Sequence, residues 1–309
     1  MAASIGIAIF PSDGDTYQTL LKNADAAMYA AKGDTSSAYR FYTPDLRRTV
    51  ARKPALDEDL KHALDNEEFV LHFEPQVDVK SGRVVGAEAL IRWQHPERGL
   101  LSPKAFMPLA EQTGQVVAIG AWVLTQACRE AAAWSDGPAG PLNVGVNVSP
   151  LQLNLPNLVE VVRDAVGNSG LAPGRLCLEI TETAVIKASE LNLQTLSDLH
   201  REGVILALDD FGTGYSSLSH LKDLPVDIVK VDQSFVSGVF NDPADAAITE
   251  AIITLAHGLG HDVIAEGIES QGQFDFVRRH QCNFVQGYLF SAPMPGDQLA
   301  EFVAKSRFV

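Results

Sequence analysis

Apolar and polar residues follow two periods along this chain, and together these periods predict an α/β protein. Short apolar runs between glycine, proline and polar residues are typical of buried strands, whereas apolar residues three or four apart predict one-sided helices. Strands are predicted at about 69–79, 84–93, 143–148, 175–182, 204–209, 228–231, 262–266 and 283–286. Helices are predicted at about 103–113, 116–134, 156–169, 188–202, 243–259, 271–280 and 297–305. This repeated order predicts a modified (β/α)8 barrel of the TIM type.

The first two strands of this region depart from the repeat. The connection between 69–79 and 84–93 is very short and contains Gly82, which suits a tight turn. Such a connection joins antiparallel strands, because parallel strands need a long crossover. We therefore predict an antiparallel first strand in an otherwise parallel barrel.

Residues 1–44 are predicted to form a small α+β unit. Residues 3–10 predict a strand, 17–32 a helix with one apolar stripe, and 36–42 a second strand. A unit of this length is too small to bury a core alone, so we expect it to belong to a larger domain or to pack on the second domain. Residues 45–55 are polar and basic and predict a linker, after which that second domain covers 56–309.

Composition and charge narrow the possible functions. The chain has 309 residues, is 46% hydrophobic and carries a formal net charge of -15. That charge argues against a nucleic-acid polymer as partner but leaves open a small phosphate ligand held by metal ions. The three cysteines are odd in number and far apart, which excludes a disulfide framework and favours a reducing compartment. With no signal peptide or membrane-length apolar run, we expect a cytoplasmic chain, either free or part of a larger membrane-anchored sensor.

Acid or amide residues end several of the predicted strands. Asp209 and Asp210 follow an apolar strand and precede a glycine-rich turn, and Asn147, Glu179 and Glu266 end other strands. Barrel proteins place their chemistry at the carboxyl ends of the strands, and neighbouring carboxylates are tolerated when a cation lies beside them. A single acid at such a position is also compatible with a solvated surface group or a loop cap. Its recurrence at several strand ends favours a metal site.

These residues lie in a series of motifs that resembles the EAL family of cyclic di-GMP phosphodiesterases. The series reads Glu88-Ala89-Leu90, Asn147-Val148-Ser149, Glu179-Ile180-Thr181-Glu182, Asp209-Asp210-Phe211-Gly212-Thr213-Gly214-Tyr215, Lys230-Val231-Asp232, Glu266-Gly267-Ile268-Glu269 and Gln286-Gly287-Tyr288. Each motif alone is weakly specific, but all of them in this order are highly specific. The resemblance covers roughly residues 56–307.

The first unit resembles the carboxyl end of a GGDEF diguanylate cyclase domain. The match lies in residues 3–8 and 23–32, whereas the loop that names that family is absent. The acids that bind GTP and metal in a cyclase are absent with it. We therefore expect a non-catalytic remnant without cyclase activity.

The resemblance to the EAL family implies a reaction and a set of catalytic residues. It implies hydrolysis of cyclic di-GMP to linear pGpG by in-line attack of water, with two Mg²⁺ or Mn²⁺ ions per site. The implied metal ligands are Glu88, Asn147, Glu179, Asp209, Asp210 and Glu266, and their oxygen atoms suit hard cations. Glu266 is also the candidate for deprotonating the water, and Lys230 for orienting it.

The substrate-binding residues implied by the same resemblance are Glu74, Leu90, Arg92, Asp232 and Gln286. The forked guanidinium of Arg92 suits a phosphate, and a salt bridge to a neighbouring acid is the alternative. Glu74 is a departure, because the family usually has glutamine before this proline. An ionised glutamate only accepts hydrogen bonds, so it disfavours phosphate but suits the N1–H and amino group of guanine.

Glu182 and Glu269 are implied to brace the loop that follows Asp210, although helix capping is an alternative for both. That loop contains Phe211, Gly212, Thr213 and Gly214 and runs to Leu221; it is implied to sense substrate and dimerisation. A merely flexible connection is the alternative. A homodimer is expected on the same basis.

Two other classes of function stay open. A receptor that binds cyclic di-GMP without cleaving it typically lacks one of the metal-binding acids or the lysine, and a protein scaffold would also lack Arg92. All of these residues are present here, which favours the enzyme. His257 and His261 have zinc-like spacing, but Gly258 and Gly260 predict a helix end instead.

Overall fold

The computed structural model describes residues 4–32, 39–43, 56–134, 141–186, 190–213, 221–222, 224–306 and 308. The chain divides into two compact units, residues 1–67 and 68–309. The predicted linker at 45–55, Gly214 and most of the predicted loop that ends at Leu221 lie outside the described residues. No helix in the described part of the chain is long and apolar enough to cross a membrane.

The first unit contains two short parallel strands, a long helix and a second helix over 56–63. Strand β1 (Ile5–Ile7) pairs with strand β2 (Tyr39–Phe41), and the helix Tyr17–Lys32 joins them. The helix has the predicted bounds, whereas strand β1 ends earlier than predicted. Residues 36–38 of the second predicted strand lie outside the described residues. Phe10 and Tyr17 are largely exposed, which agrees with a unit too small to bury all its apolar residues.

Eight strands of the second unit close into a barrel. They run in the order β3 (Phe69–Asp78), β4 (Val84–His95), β6 (Asn143–Asn147), β7 (Leu176–Thr181), β8 (Ile205–Phe211), β9 (Ile228–Val231), β10 (Asp262–Ala265) and β11 (Phe284–Val285). Strand β11 pairs with β3 and closes the ring. Strand β3 is antiparallel to both neighbours, and the other pairs are parallel. The predicted modified barrel with an antiparallel first strand is confirmed.

Helices follow most of the parallel strands. The longer ones are Pro103–Thr113, Val116–Trp134, Leu158–Ser169, Glu190–Arg201, Pro243–Leu259, Gln271–Arg279 and Gly296–Lys305. Sequence periodicity missed the short helices Pro150–Leu153, Glu182–Ile186 and Gln233–Gly238 and the short strands β5 (Gly99–Leu101) and β12 (Met294–Pro295). One turn of helix or three residues of strand are too short to show a period.

Alternate residues of the barrel strands face the surrounding helices and the barrel interior. Phe73 on β3 is fully buried and meets Trp134 edge to face at 4.9 Å, so this face of the strand belongs to the outer core. Glu74 and Gln76 lie one and three residues after Phe73 on this strand and therefore face the other side, towards the barrel interior. The predicted helix end after His257 is confirmed, because Gly260 caps the helix with a φ of 89°.

Candidate active site

Lys230 occupies the middle of a buried acidic cluster in the barrel. Its side chain is 1% exposed, and its Nζ lies 2.6 Å from Glu266 Oε1. It also lies 3.4 Å from Glu88 Oε2 and from Asp209 Oδ1, and it contacts Glu179 Oε2. Four carboxylates thus share one ammonium, and each comes from a different strand or the residue just after it.

The strand register brings these side chains together. Glu88 pairs with Gly145, Asn147 with Glu179, and Thr181 with Asp209, so the cluster crosses neighbouring strands at one level. A Cβ at Gly145 would lie 2.2 Å from Glu179 Oε1 and would displace that carboxylate. The absence of a side chain at position 145 gives the Glu179 carboxylate room between the strands.

Strand β8 is irregular at Asp209 and Asp210, so these two residues do not follow the alternation of a regular strand. Consecutive residues of a regular strand point to opposite faces, but the register of β8 shifts between Leu208 and Phe211. Asp210 has a φ of 55°, and its N–H donates to Asp209 Oδ1 at 3.0 Å. A left-handed backbone is uncommon for a residue with a side chain and is often found at functional sites.

Side-chain amides hold Glu88 in place. Asn147 Nδ2 donates to Glu88 Oε1 at 2.7 Å, and Gln286 Nε2 donates to Glu88 Oε2 at 2.6 Å. Gln286 Oε1 in turn accepts from Gln76 Nε2 at 3.1 Å. Because the amide nitrogen of Asn147 faces Glu88, its carbonyl oxygen is left as an available ligand.

Burial makes the acids of the cluster hard to ionise. It raises the pKa of Glu266 to about 8, with Lys230 opposing the shift and Asp209 adding to it. Burial, with the charges of Asp209 and Asp232, raises the pKa of Asp210 to about 6. Burial and the charge of Glu88 likewise hold the pKa of Glu179 well above its usual range. In the absence of metal, these three carboxyls therefore favour their protonated, neutral forms.

Two members of the cluster stay charged. Burial opposes ionisation of Glu88, but Lys230 and the hydrogen bonds from Gln286 and Asn147 hold its pKa below the usual value. Burial likewise opposes a charged Lys230, but Glu179, Glu266 and the other carboxylates hold its pKa well above the usual value. The centre of the site is thus an ion-paired ammonium.

The donor atoms of the cluster fit hard divalent cations. All are carboxylate or amide oxygens, which suit Mg²⁺ and Mn²⁺. Glu179 Oε1 is buried and has no hydrogen-bond partner among the described residues, so this oxygen is available to a cation. Within the residues that the structure describes, no three acidic, cysteine or histidine side chains are already placed to hold one metal ion. The ammonium of Lys230 lies between four of the carboxylates.

The predicted substrate residues lie at different depths. Glu74 pairs with Glu88 across β3 and β4, and burial followed by the charge of Glu88 raises the pKa of Glu74 to about 7. Arg92 donates to its neighbour Ile91 O at 2.9 Å and forms no ion pair with the described acids. Gln286, only 4% exposed, lies in the barrel interior with its amide engaged by Gln76 and Glu88, rather than at the rim.

A mainly apolar cavity of about 250 Å³ opens beside Leu90 and Asn147. Its other walls come from the helices Pro103–Thr113 and Val116–Trp134 and from the turn at Ser149. Asp232 caps the helix Gln233–Gly238 by accepting from Ser234 N at 2.9 Å, and its carboxyl lies against that of Asp210. Among the expected metal ligands, only Asn147 lines the cavity, so the cavity meets the site at that residue.

The two glutamates assigned to the loop have different surroundings. Glu182 is buried, and its Oε2 accepts from Gly212 N at 2.7 Å, so it holds the residue that follows buried Phe211. Thr213 Oγ1 donates to Asp210 O at 2.8 Å. Glu269 is exposed beside the helix cap, where its N–H donates to Gln273 Oε1 at 2.8 Å.

Gln76 is the buried polar residue of the site that the sequence analysis missed. It is 8% exposed and stands two residues after Glu74 on the same strand. Side chains at i and i+2 of a strand share a face, so this spacing predicts that Gln76 and Glu74 face the same interior. That signal was present in the sequence.

We expect the thermal midpoint of the metal-free protein to fall as pH rises from about 5 to about 9. The folded pKa of Glu266 is raised from 4.5 to about 8, so its stabilising contribution is full below 4.5 and is lost as pH passes through 8. Asp210, with its pKa raised to about 6, acts in the same direction. Glu88, with its lowered pKa, acts only below this window. Thermal melts in EDTA across this pH range measure the slope; a midpoint that rises steadily to pH 9 contradicts it.

The sequence of this chain is similar to a known domain family and to proteins of known name. The family model "EAL domain" matches residues 57–293. The chain is 43% identical over 304 residues to the bifunctional diguanylate cyclase/cyclic di-GMP phosphodiesterase MucR of Pseudomonas aeruginosa, covering 98% of this chain and 44% of that protein. It is 39% identical over 308 residues to the cyclic di-GMP phosphodiesterase NbdA of the same species, covering 100% and 39%. The chain thus spans less than half the length of these relatives.

Two solved structures are similar to this chain in fold and in sequence. The structure described as PaMucR phosphodiesterase in complex with c-di-GMP has a TM-score of 0.77 and 44% identity, covering 79% of this chain and 99% of that chain. The EAL enzyme Bd1971, with cAMP and cyclic di-GMP bound, has a TM-score of 0.78 and 30% identity, covering 82% and 70%. Both structures support the modified barrel fold of the second unit.

Proposed function

This chain belongs to the EAL domain family, and from that premise we propose that it hydrolyses cyclic di-GMP to linear pGpG. The observation that carries the proposal is the group of four carboxylates around Lys230. The proposal is supported by the names of MucR and NbdA, both cyclic di-GMP phosphodiesterases, and by the c-di-GMP complex of PaMucR.

Two divalent cations, Mg²⁺ or Mn²⁺, fit the oxygen donors of the site. Six residues would hold them: Glu88, Asn147, Glu179, Asp209, Asp210 and Glu266. When bound, the ions would offset the charge of the acids and of the phosphate and would lower the pKa of the attacking water. The Lys230 ammonium would have to withdraw from the carboxylates, since it lies between them.

The residues of the chain would then share the proton and charge transfers. Glu266, with a pKa of about 8 in the metal-free protein, would accept a proton from the water. The oxygen of that water would attack phosphorus in line with the bond that breaks. The bond from phosphorus to the ribose 3′ oxygen would break, that oxygen would take up a proton from solvent, and the ring would open. Lys230 would orient the water and offset charge on the phosphoryl oxygens.

The rim of the site would bind the rest of the dinucleotide. The Arg92 guanidinium, which forms no ion pair with the described acids, would face a phosphate. The apolar cavity beside Leu90 has the size and character to take part of a base. Asp232 and Glu74 would complete the substrate contacts near the metal ions.

Incubation with cyclic di-GMP and Mn²⁺, followed by chromatography, tests this proposal. We expect linear pGpG with Mn²⁺ and intact substrate when EDTA replaces the metal. Bound but intact cyclic di-GMP in the presence of Mn²⁺ contradicts the enzyme and supports the receptor. No binding of the nucleotide in either condition supports the scaffold.

We predict that Glu74→Gln tightens substrate binding. Glu74 faces Glu88 and adds a carboxyl near the expected phosphates, whereas glutamine is neutral and donates hydrogen bonds. The dissociation constant for cyclic di-GMP, measured in EDTA, where no turnover is expected, should fall by about tenfold. An unchanged or weaker affinity would show that Glu74 already makes a productive contact with guanine.

The first unit has a proposed origin as well. We infer that it is the carboxyl end of a GGDEF domain and has no catalytic activity of its own. Its helix between two parallel strands and its inclusion in the match to a relative named as a diguanylate cyclase support this. The expected homodimer stays a prediction, which size-exclusion chromatography with light scattering tests.

A further inference from the structure

A line of buried amides extends from the acidic cluster into the barrel. Gln76 Nε2 donates to Gln286 Oε1, and Gln286 Nε2 donates to Glu88 Oε2. The three side chains are 8%, 4% and 6% exposed, so water cannot easily replace these bonds. We call this line the amide relay: Gln76, Gln286 and Glu88.

The amide relay has one consistent hydrogen-bond direction. A carboxylate accepts only, so Gln286 must turn its Nε2 towards Glu88 and its Oε1 away. That Oε1 then needs a donor, and Gln76 Nε2 supplies it at 3.1 Å. If Gln286 rotated by half a turn, its carbonyl would face Glu88 and its Nε2 would face the donor of Gln76.

The strand pairing fixes Gln76 in this orientation. Gln76 pairs with Gly86 on β4, and Val77 pairs with Val285 on β11, just before Gln286. A Cβ at Gly86 would lie 3.1 Å from Gln76 Oε1, so the carbonyl of this amide lies on the Gly86 side. The nitrogen consequently points across the strands to Gln286.

We propose that Gln76 is a positioning residue: through Gln286 it sets the orientation of Glu88, an expected metal ligand. This inference rests on the proposed function for its catalytic meaning, but the hydrogen bonds stand without it. Partners one step behind the metal ligands fix the geometry of those ligands, and their loss weakens metal binding. Gln76 is not among the expected metal ligands or substrate residues, and its amide donates to Gln286, so we assign its effect to Gln286.

The decisive variant is Gln76→Met, which keeps the length of the side chain and removes the amide. The matched control is Val77→Ala, because Val77 is fully buried on the same strand and carries no polar group. Both variants remove buried contacts from β3, and thermal melts record how much stability each loses. Only Gln76→Met breaks the amide relay.

Two measurements on the full chain separate positioning from stability. In metal-free protein with ¹⁵N-labelled glutamine side chains, the Gln286 amide signal should shift in Gln76→Met and stay in place in Val77→Ala. In calorimetric titration with Mn²⁺, the dissociation constant should rise about tenfold in Gln76→Met and stay unchanged in Val77→Ala. An unshifted Gln286 signal, or equal Mn²⁺ affinities in both variants, overturns the inference.

Failure of the proposed function is distinguishable from failure of this inference by Mn²⁺ binding and pGpG formation in the wild-type chain. If the wild-type chain binds Mn²⁺ but forms no pGpG, hydrolysis fails as the proposed function and both measurements still decide the role of Gln76. If the wild-type chain binds no Mn²⁺, Gln76 does not position a metal ligand. That result overturns the inference even if the Gln286 signal shifts.

Discussion

Lys230→Met is expected to destabilise the metal-free protein by about 3–5 kcal/mol, because it leaves buried carboxylates without their shared cation. Lys230 is 1% exposed and contacts Glu88, Glu179, Asp209 and Glu266. Urea unfolding in EDTA at pH 8 measures the loss, since more of the acids are ionised there. At pH 5 the loss should be smaller, because burial raises the pKa of Glu266 to about 8 and favours its protonated form.

Adding Mn²⁺ should return much of the stability that Lys230→Met removes. Ions that bind only the folded state stabilise it, and they would neutralise the same carboxylates. Hydrolysis should nevertheless stay low, because the variant cannot orient the water. Lys80→Met, at an exposed position in the turn after β3, is the matched control and should leave stability unchanged. Equal stability of the two variants in EDTA would contradict the central role of the Lys230 ammonium.

Glu266→Gln is expected to cut turnover by at least about a hundredfold while leaving nucleotide binding largely intact. Glutamine keeps the shape of the side chain but cannot accept the proton of the attacking water. Glu266 Oε1 also lies 2.6 Å from Lys230 Nζ, so the change removes charge from the centre of the site. Single-turnover hydrolysis and a separate binding titration distinguish the two effects.

The control for this variant is Glu160→Gln, an exposed acid on the helix Leu158–Ser169, which should keep wild-type turnover. A near-normal rate in Glu266→Gln would remove Glu266 from the mechanism. A joint loss of binding and turnover would instead assign it to holding substrate or metal alone.

The sequence predicted the barrel because its elements are long and periodic. The bounds of Pro103–Thr113, Val116–Trp134 and Pro243–Leu259 agree with the predicted ones, and the first and last of these helices begin at a proline and end before a glycine. Helices of a single turn, such as Pro150–Leu153, were missed because four residues carry no period. Closure by β11, only two residues long, follows from pairing that no local pattern encodes.

The sequence predicted which residues form the site better than it predicted how their side chains are arranged. Carboxylates at strand ends indicated where the chemistry lies, but the period of a regular strand places Asp209 and Asp210 on opposite faces. The register shift in β8 and the positive φ of Asp210 depend on the fold around them. The central position of Lys230 likewise depends on five strands meeting, which one strand cannot show.

Anomalous diffraction from crystals soaked in Mn²⁺ tests the central claim most directly. We predict two peaks among Glu88, Asn147, Glu179, Asp209, Asp210 and Glu266, with the Lys230 ammonium displaced from between the carboxylates. Crystals with no peak in this cluster, and with Lys230 still bound to all four acids, would contradict the account.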